Sequence, residues 1–305
     1  LIVGRECLII YGFYVDMLMR TKALIIIGLI WPAVAAAYYG FAPLEPLASF
    51  DSAREEQIHS IRADGHLSYG YAGGAFDADG GYVSGGDATT VFVGRAKIGW
   101  VFDRHWEADL VLHGVNWHDH DTGAFENGLG DVWLSGKGIW YTKEGGEFRM
   151  GPRLGIRFPG DTSNAFSDAG NAVDVAAVGF YDRRGGTFQL DAQVGFRQDM
   201  DSDRFFEEPG ISAYLLADPC WALDDDERWV GGLSVGTYAG LGTVKTRLFW
   251  FGPRMQYIVD DNVRLEAGLL YPVFGKSYHI NGYSHPVPRY ATFYFGTQSV
   301  IPTRW

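Results

Sequence analysis

Three arginines at four-residue spacing, Arg149, Arg153 and Arg157, stand out first in this chain. They lie in "EFRMGPRLGIRFP" (147–159), where Phe148, Met150, Leu154, Ile156 and Phe158 hold the opposite parity, with Pro152 the one exception on it. Guanidinium groups on one strand face attract anions, because their planar fork matches a carboxylate. Same-face residues on a strand stand about 7 Å apart, so these arginines are separated by about twice that. Such a strand has an oily face and a cationic face. In a soluble sheet the oily face turns inward; in a membrane barrel it turns to lipid and the arginines line a lumen. The reverse membrane orientation costs about 2–4 kcal/mol for each cation near the midplane, and less near the interfaces.

Two other stretches have the residue types for chemistry. "WHDHD" (117–121) offers His118, Asp119, His120 and Asp121 to a divalent cation, but neighbours on an extended chain point in opposite directions, so few of them converge. A solvated loop tip is the plainer reading. "HLS" (66–68) matches the His-x-Ser letters of some outer-membrane lipid hydrolases, whose Ser-His pair sits near the membrane surface. No third group that would orient the histidine as a base is evident, so a chance match is the plainer reading there too. The acidic run 224–227 reads as a solvated turn. Gly-rich phosphate loops, paired-carboxylate motifs and zinc spacings are absent, and no cofactor, metal or catalytic residue is expected. Of the two cysteines, Cys7 falls in a segment expected to be removed, which leaves Cys220 alone.

The elements that must position these residues follow from composition and periodicity. The 305 residues carry a net charge of −12, with 41 glycines and 15% aromatics. The acidic balance argues against a nucleic-acid partner. Apolar residues come in short period-two alternations, the pattern of strands. Twelve strands are predicted: 58–74, 88–102, 105–117, 128–142, 147–158, 171–182, 187–198, 210–221, 228–239, 245–259, 263–274 and 289–301. Short breaks near 103, 143–146, 183–186, 222–227 and 260–262 alternate with long ones at 75–87, 118–127, 159–170, 199–209 and 275–288, and 240–244 is the exception. Short turns at one end and long loops at the other mark an outer-membrane barrel, with the long loops outside the cell.

The faces agree with that reading. Phe92, Ala96, Ile98, Trp100 and Phe102 oppose Arg95 and Lys97, and Trp106, Ala108, Leu110 and Leu112 oppose Glu107, Asp109 and His113. Aromatics flank the short turns, among them Phe102, Trp106, Trp140, Phe148, Tyr181, Phe188, Trp221, Trp229 and Tyr257, as a girdle at the headgroup level would. The polar parity then defines a mixed-charge lumen of Arg95, Lys97, Glu107, Asp109, Asp131, Lys137, Arg149, Arg153, Arg157, Asp191, Arg197, Arg254, Arg264 and Glu266, with His113, Gln189, Gln193 and Gln256. Asp131 is expected to neutralise part of the arginine ladder. Eight strands enclose an interior just filled by side chains and sixteen leave a channel. Twelve lies between, so a narrow pore and a salt-bridged, filled lumen both stand.

The N-terminus reads as an export signal beginning at Met19, with Arg20 and Lys22, an apolar stretch from Ala23 to Val34 and small residues Ala35 to Ala37. The expected organisation is an over-extended start plus signal peptide at 1–37, a periplasmic segment at 38–57 and an all-β, transmembrane antiparallel up-and-down barrel at 58–305. Trp305 ends the chain, and barrels of this class often end in an aromatic residue that the assembly machinery reads.

Three segments, "GLGDVWLSGKGIWY" (128–141), "GPRLGIRFPGD" (151–161) and "FGPRMQYIVDDNVRLEAGLLYPV" (251–273), resemble the outer-membrane family named for the meta-pathway of phenol degradation. Gly160 and Asp161 follow Pro159 where the family pattern has Thr-Gly, which departs from it in the 159–170 loop. The resemblance implies an outer-membrane barrel of a Gram-negative bacterium, encoded near aromatic catabolism genes and passing small hydrophobic or aromatic compounds. The expected partners are outer-membrane lipid, a small-molecule solute and the barrel assembly machinery at the C-terminal strand. An outer-membrane lipid-hydrolysing enzyme and a non-conducting structural barrel are the alternatives.

Overall fold

The computed structural model describes residues 59–302 apart from 78, 104–105, 139–140, 143–147, 159–171, 183–187, 200–210, 242–243, 261 and 280–286. The expected leader, the periplasmic segment, Trp140, Trp305 and nearly all of the 159–170 and 199–209 loops therefore lie outside the described residues, as does the Asp131 side chain.

The strands, in chain order, are β1 (Ser60–Phe76), β2 (Tyr82–Asp103), β3 (Trp106–Asp119), β4 (Phe125–Gly138), β5 (Tyr141–Thr142), β6 (Phe148–Phe158) and β7 (Ala172–Asp182). They continue with β8 (Gln189–Asp199), β9 (Ile211–Ala222), β10 (Trp229–Gly240), β11 (Val244–Asp260), β12 (Val263–His279), β13 (Val287–Pro288) and β14 (Ala291–Pro302). The two-residue segments are continuations: β4 and β5 both pair with β6, and β13 and β14 both pair with β1. Each strand pairs antiparallel with its chain neighbour, and β1 pairs with both β2 and β14. The result is a closed, twelve-strand, antiparallel barrel.

Closure leaves two faces and no sheet edge, so the alternation in the sequence becomes inside against outside. On β6, Arg153 is 7% exposed while Leu154 beside it is 52% exposed. Ile98, Trp100, Phe196, Leu215 and Phe293 likewise stand outward. At the end where the short turns lie, outward rings meet in sequence around the wall. Tyr181 lies 6.1 Å from Phe188, Phe188 lies 5.4 Å from Trp221, and Trp229 lies 4.6 Å from Tyr257, centroid to centroid.

Three expected loops are shorter than the sequence suggests. The 75–87 break is mostly strand, with β1 running to Phe76 and β2 starting at Tyr82; the 118–127 break narrows to 120–124; and β12 runs to His279. These strand ends carry glycines and aspartates between their apolar residues, so in sequence they read as loop. The β1–β2 turn is built by Asp77, whose Oδ1 accepts from the N–H groups of Asp79 at 2.9 Å and Gly81 at 2.7 Å. Gly80 between them has φ 83°, a left-handed backbone that suits glycine. At the opposite end Asp224 Oδ1 accepts the Trp229 N–H at 2.9 Å, so the acidic run orders its own turn.

Candidate functional site

The inward face is polar and charged around much of the barrel, and its groups form three networks. The first joins β1 to β4. Lys97 Nζ lies 3.1 Å from Asp109 Oδ2 and 3.7 Å from Glu107 Oε1, and Lys137 Nζ lies 2.7 Å from Glu107 Oε2. Arg62 Nε lies 2.8 Å from Asp64 Oδ2, and its Nη1 lies 3.5 Å from Glu107 Oε1. Arg95, also inward, is buried beside them in sequence.

The second network joins β6 to β9. Asp174 Oδ1 accepts from Arg153 Nη1 at 3.0 Å and from the Tyr214 hydroxyl at 2.8 Å, and Gln193 Nε2 donates to the Tyr214 oxygen at 2.8 Å. Arg197 Nε stands 3.7 Å from Asp174 Oδ2. Trp133 on β4 carries two guanidinium groups near its ring, Arg197 at 4.8 Å and Arg157 at 5.8 Å, while Arg149 lies 5.9 Å from the Phe180 ring.

The third network centres on Arg254. Its Nη1 donates to Asp218 Oδ2 at 2.6 Å and its Nη2 to Glu266 Oε2 at 2.8 Å. Gln256 Nε2 donates to the same Glu266 oxygen at 3.0 Å, and His66 Nε2 bonds Glu266 Oε1. Asp191 lies directly across the ladder from Asp218, and Arg264 shares the inward parity of Glu266 near the turn end.

Several of these contacts link strands that are not neighbours, and glycine makes the room for some of them. Arg62 on β1 reaches Glu107 on β3 over Gly99 of β2, where an added Cβ would stand 2.9 Å from Glu107 Oε1. Asp174 on β7 meets Tyr214 on β9 over Gly195, where a Cβ would stand 2.6 Å from the Tyr214 oxygen. Asp218 on β9 meets Arg254 on β11 across β10, and His66 on β1 meets Glu266 on β12 over Gly296. A side chain at any of these glycines would occupy the path of the contact.

Part of the inward surface is apolar. Phe76, Leu216, Leu248, Trp250, Leu270 and Tyr294 form one buried cluster, joined by Ala176 and Tyr214.

Thus the described lumen residues from the sequence reading have inward positions. The arginine ladder has a partner that sequence reasoning did not name, Asp174 on the strand after β6, which reaches Arg153 across one ladder. The side chain of the expected partner, Asp131, lies outside the described residues. His66 does have an orienting carboxylate, Glu266, two hundred residues away in sequence. Sequence reasoning also passed over Arg62, Asp64, Asp218, Tyr214 and Tyr294, all inward and buried. Their signal was parity alone, on strands whose inward face is otherwise small or apolar.

The "HLS" pair does not meet lipid. His66 and Ser68 both point inward and both are buried, and His66 is bonded to Glu266. In "WHDHD" the carboxylates are committed to backbone. Asp119 Oδ1 accepts from the N–H groups of Asp121 at 2.9 Å and Thr122 at 3.2 Å, and Asp121 Oδ2 accepts from Ala88 N–H at 3.2 Å. The Thr122 hydroxyl and these N–H groups hold the Asp119 carboxyl below its usual range. Among the described residues no group of three His, Cys, Asp or Glu side chains converges as a metal site.

No family model and no curated protein matches the chain. Solved structures do. An outer-membrane channel from Pseudomonas putida superposes with a TM-score of 0.65 at 12% identity, covering 81% of this chain and 97% of that one. The NanC porin gives a TM-score of 0.49 at 10% identity, covering 77% and 98%, and the KdgM porin 0.42 at 11%, covering 79% and 98%. The first of these likenesses shows a shared fold.

Proposed function

We propose that this barrel spans the outer membrane of a Gram-negative bacterium and is a channel for small solutes. One observation carries the reading: a closed barrel turns its oily residues outward and its charges and hydrogen-bonding groups inward, the reverse of a soluble domain. Outer-membrane lipid surrounds the apolar band, and the assembly machinery engages the C-terminal strand. The resemblance of residues 128–141, 151–161 and 251–273 to the phenol meta-pathway family extends the solutes to hydrophobic and aromatic compounds, and the buried inward cluster around Trp250 and Tyr294 offers such compounds an apolar surface.

A second reading has its own support. The Arg254 and Lys97 side chains are 0% exposed, whereas an inward charge facing open water would be accessible. Much of the lumen is therefore filled at the level of these networks, and a non-conducting structural barrel would look the same there. Arg197, at 26% exposed, shows that the β8 side is more open. Single-channel recording in a planar bilayer decides between the two. A channel gives small, discrete conductance steps; a barrel that inserts without steps, and whose liposomes do not swell in small sugars or benzyl alcohol, is structural.

A further inference from the structure

We infer that the outward face of β11 and β12, at the end opposite the short turns, binds a phosphate group of an outer-leaflet lipid, with Arg247 and Lys276 as its contacts. The inference takes the leaflet it meets from the outer-membrane reading above.

Register brings the two cations together. Arg247 on β11 pairs directly with Lys276 on β12. Arg247 is exposed and precedes Leu248, which is 4% exposed and inward, so the pair stands on the outside of the wall. Residues directly opposite on one face have Cβ atoms about 4.5–5.5 Å apart, and like charges there repel. Lys137 and Arg153 also face each other across a ladder, but inside the barrel, where Glu107 and Asp174 take them up. Outside, β11 and β12 bring no carboxylate of their own to this end. No Asp or Glu occurs from Arg228 to Val259 or from Ala267 to Trp305, in a chain of net charge −12. Asp79, from the β1–β2 turn, comes to 3.8 Å from Lys276 Nζ with its side chain 98% exposed, and no ion pair joins Arg247 to a described residue. An anion between Arg247 and Lys276 turns their repulsion into charge-assisted bonds.

Height makes that anion a lipid's. The Tyr257 ring packs on Trp229 at the short-turn end of the same strand. From Tyr257 to Arg247 the strand runs about 33 Å, and at a tilt of about 40° this spans about 25 Å of height, the thickness of the apolar band. The cation pair therefore stands at the level of the outer head groups. The next outward pair below it is Phe249 with Phe274, 37% and 39% exposed. Two cations above two phenyl rings match an amphiphile whose phosphate lies at the interface and whose chains lie beneath; a free anion gains nothing from the rings.

The test uses the full chain folded in detergent micelles, with native mass spectrometry to follow retained lipid. The probes are a bisphosphorylated lipid A and the same glycolipid with its phosphates removed. Retention of the phosphorylated lipid at about tenfold lower concentration is expected, as charge-assisted bonds would give. Arg247→Gln combined with Lys276→Gln should remove that preference in protein that keeps its heat-modifiable mobility on gels. Arg228→Gln, which removes an exposed cation at the short-turn end, should keep it. Equal retention of the two lipids by the native chain, or an unchanged preference in the folded double variant, overturns the site. An equal loss in Arg228→Gln also overturns it, as unspecific attraction, and displacement of the lipid by millimolar inorganic phosphate overturns the lipid as occupant. The comparison of lipids on the native chain decides even if the double variant does not fold. Phosphate preference in a barrel whose cell-surface labelling shows the reverse orientation supports the phosphate site and overturns only the leaflet; the expected orientation without phosphate preference overturns only the site.

Discussion

Asp218 and Arg254 meet at 2.6 Å although a whole strand, β10, runs between them. Both are buried, and Arg254 also holds Glu266 at 2.8 Å. Replacing Arg254 with methionine leaves two carboxylates in a low-dielectric interior. Loss of about 3–5 kcal/mol of stability is expected, the cost of breaking a buried pair by removing one partner. Adding Asp218→Asn and Glu266→Gln to Arg254→Met should recover most of it. Urea titrations in detergent, followed by heat-modifiable gel mobility, measure both. A triple variant no more stable than the single one would mean that charge is not what the network balances.

Gly195 tests the crossing of β8. A Cβ there would stand 2.6 Å from the Tyr214 oxygen and 2.8 Å from Ala176 Cβ. Gly195→Val should cost about 1–3 kcal/mol by overpacking. Tyr214→Ala removes the clash, so the double variant should be more stable than the sum of the two single effects predicts. Additive losses would show that the ring and the glycine are independent.

The arginine ladder should set ion preference. Replacing Arg149, Arg153 and Arg157 with glutamine should shift the reversal potential in a salt gradient toward cation selectivity, while the barrel still assembles. An unchanged reversal potential would remove these arginines from the conducting path. Failure to assemble would favour the filled lumen, with Arg153 and Asp174 as part of its packing.

Orientation is open to labelling on intact cells. Asp121 lies at the loop end and Asp225 in a turn at the opposite end, both exposed. Asp121→Cys should react with a membrane-impermeant maleimide and Asp225→Cys should not. The thiol of Cys220, the one cysteine among the described residues, is buried and gives little background. Equal labelling at the two positions would refute the orientation.

The strand count and the outward face were legible because alternation writes each strand's two faces directly into the chain. Arg153 and Leu154 need only their parity to be assigned. The partners were not legible. Asp174 is one inward acid among alanines and valines on β7, and its bonds to Arg153 and Tyr214 depend on register and on which strand is skipped. Glu266 and His66 are joined only when the first and last strands close the barrel. Loop lengths were misread for a different reason. Tyr82 to Thr90 is strand, yet Gly85, Gly86 and Asp87 break the alternation of its sequence, so it reads as a loop.

The glycine-floored contacts bear on the shape of the wall as well as its charge. Ladder hydrogen bonds fasten each strand to its immediate neighbours and leave the angle between them soft, so a ring of twelve strands can flatten into an ellipse without breaking any. A side chain that ties one strand to the next but one fixes the angle at the strand it passes over, as a brace fixes a corner. Arg62–Glu107, Asp174–Tyr214, Asp218–Arg254 and His66–Glu266 place such braces at β2, β8, β10 and β14. Arg197 on β8, 4.8 Å from the Trp133 ring on β4, likewise reaches over β7 and β6. The roundness of the barrel is thus held by side chains as well as by its ladders, and a bend at one strand would strain contacts two strands away.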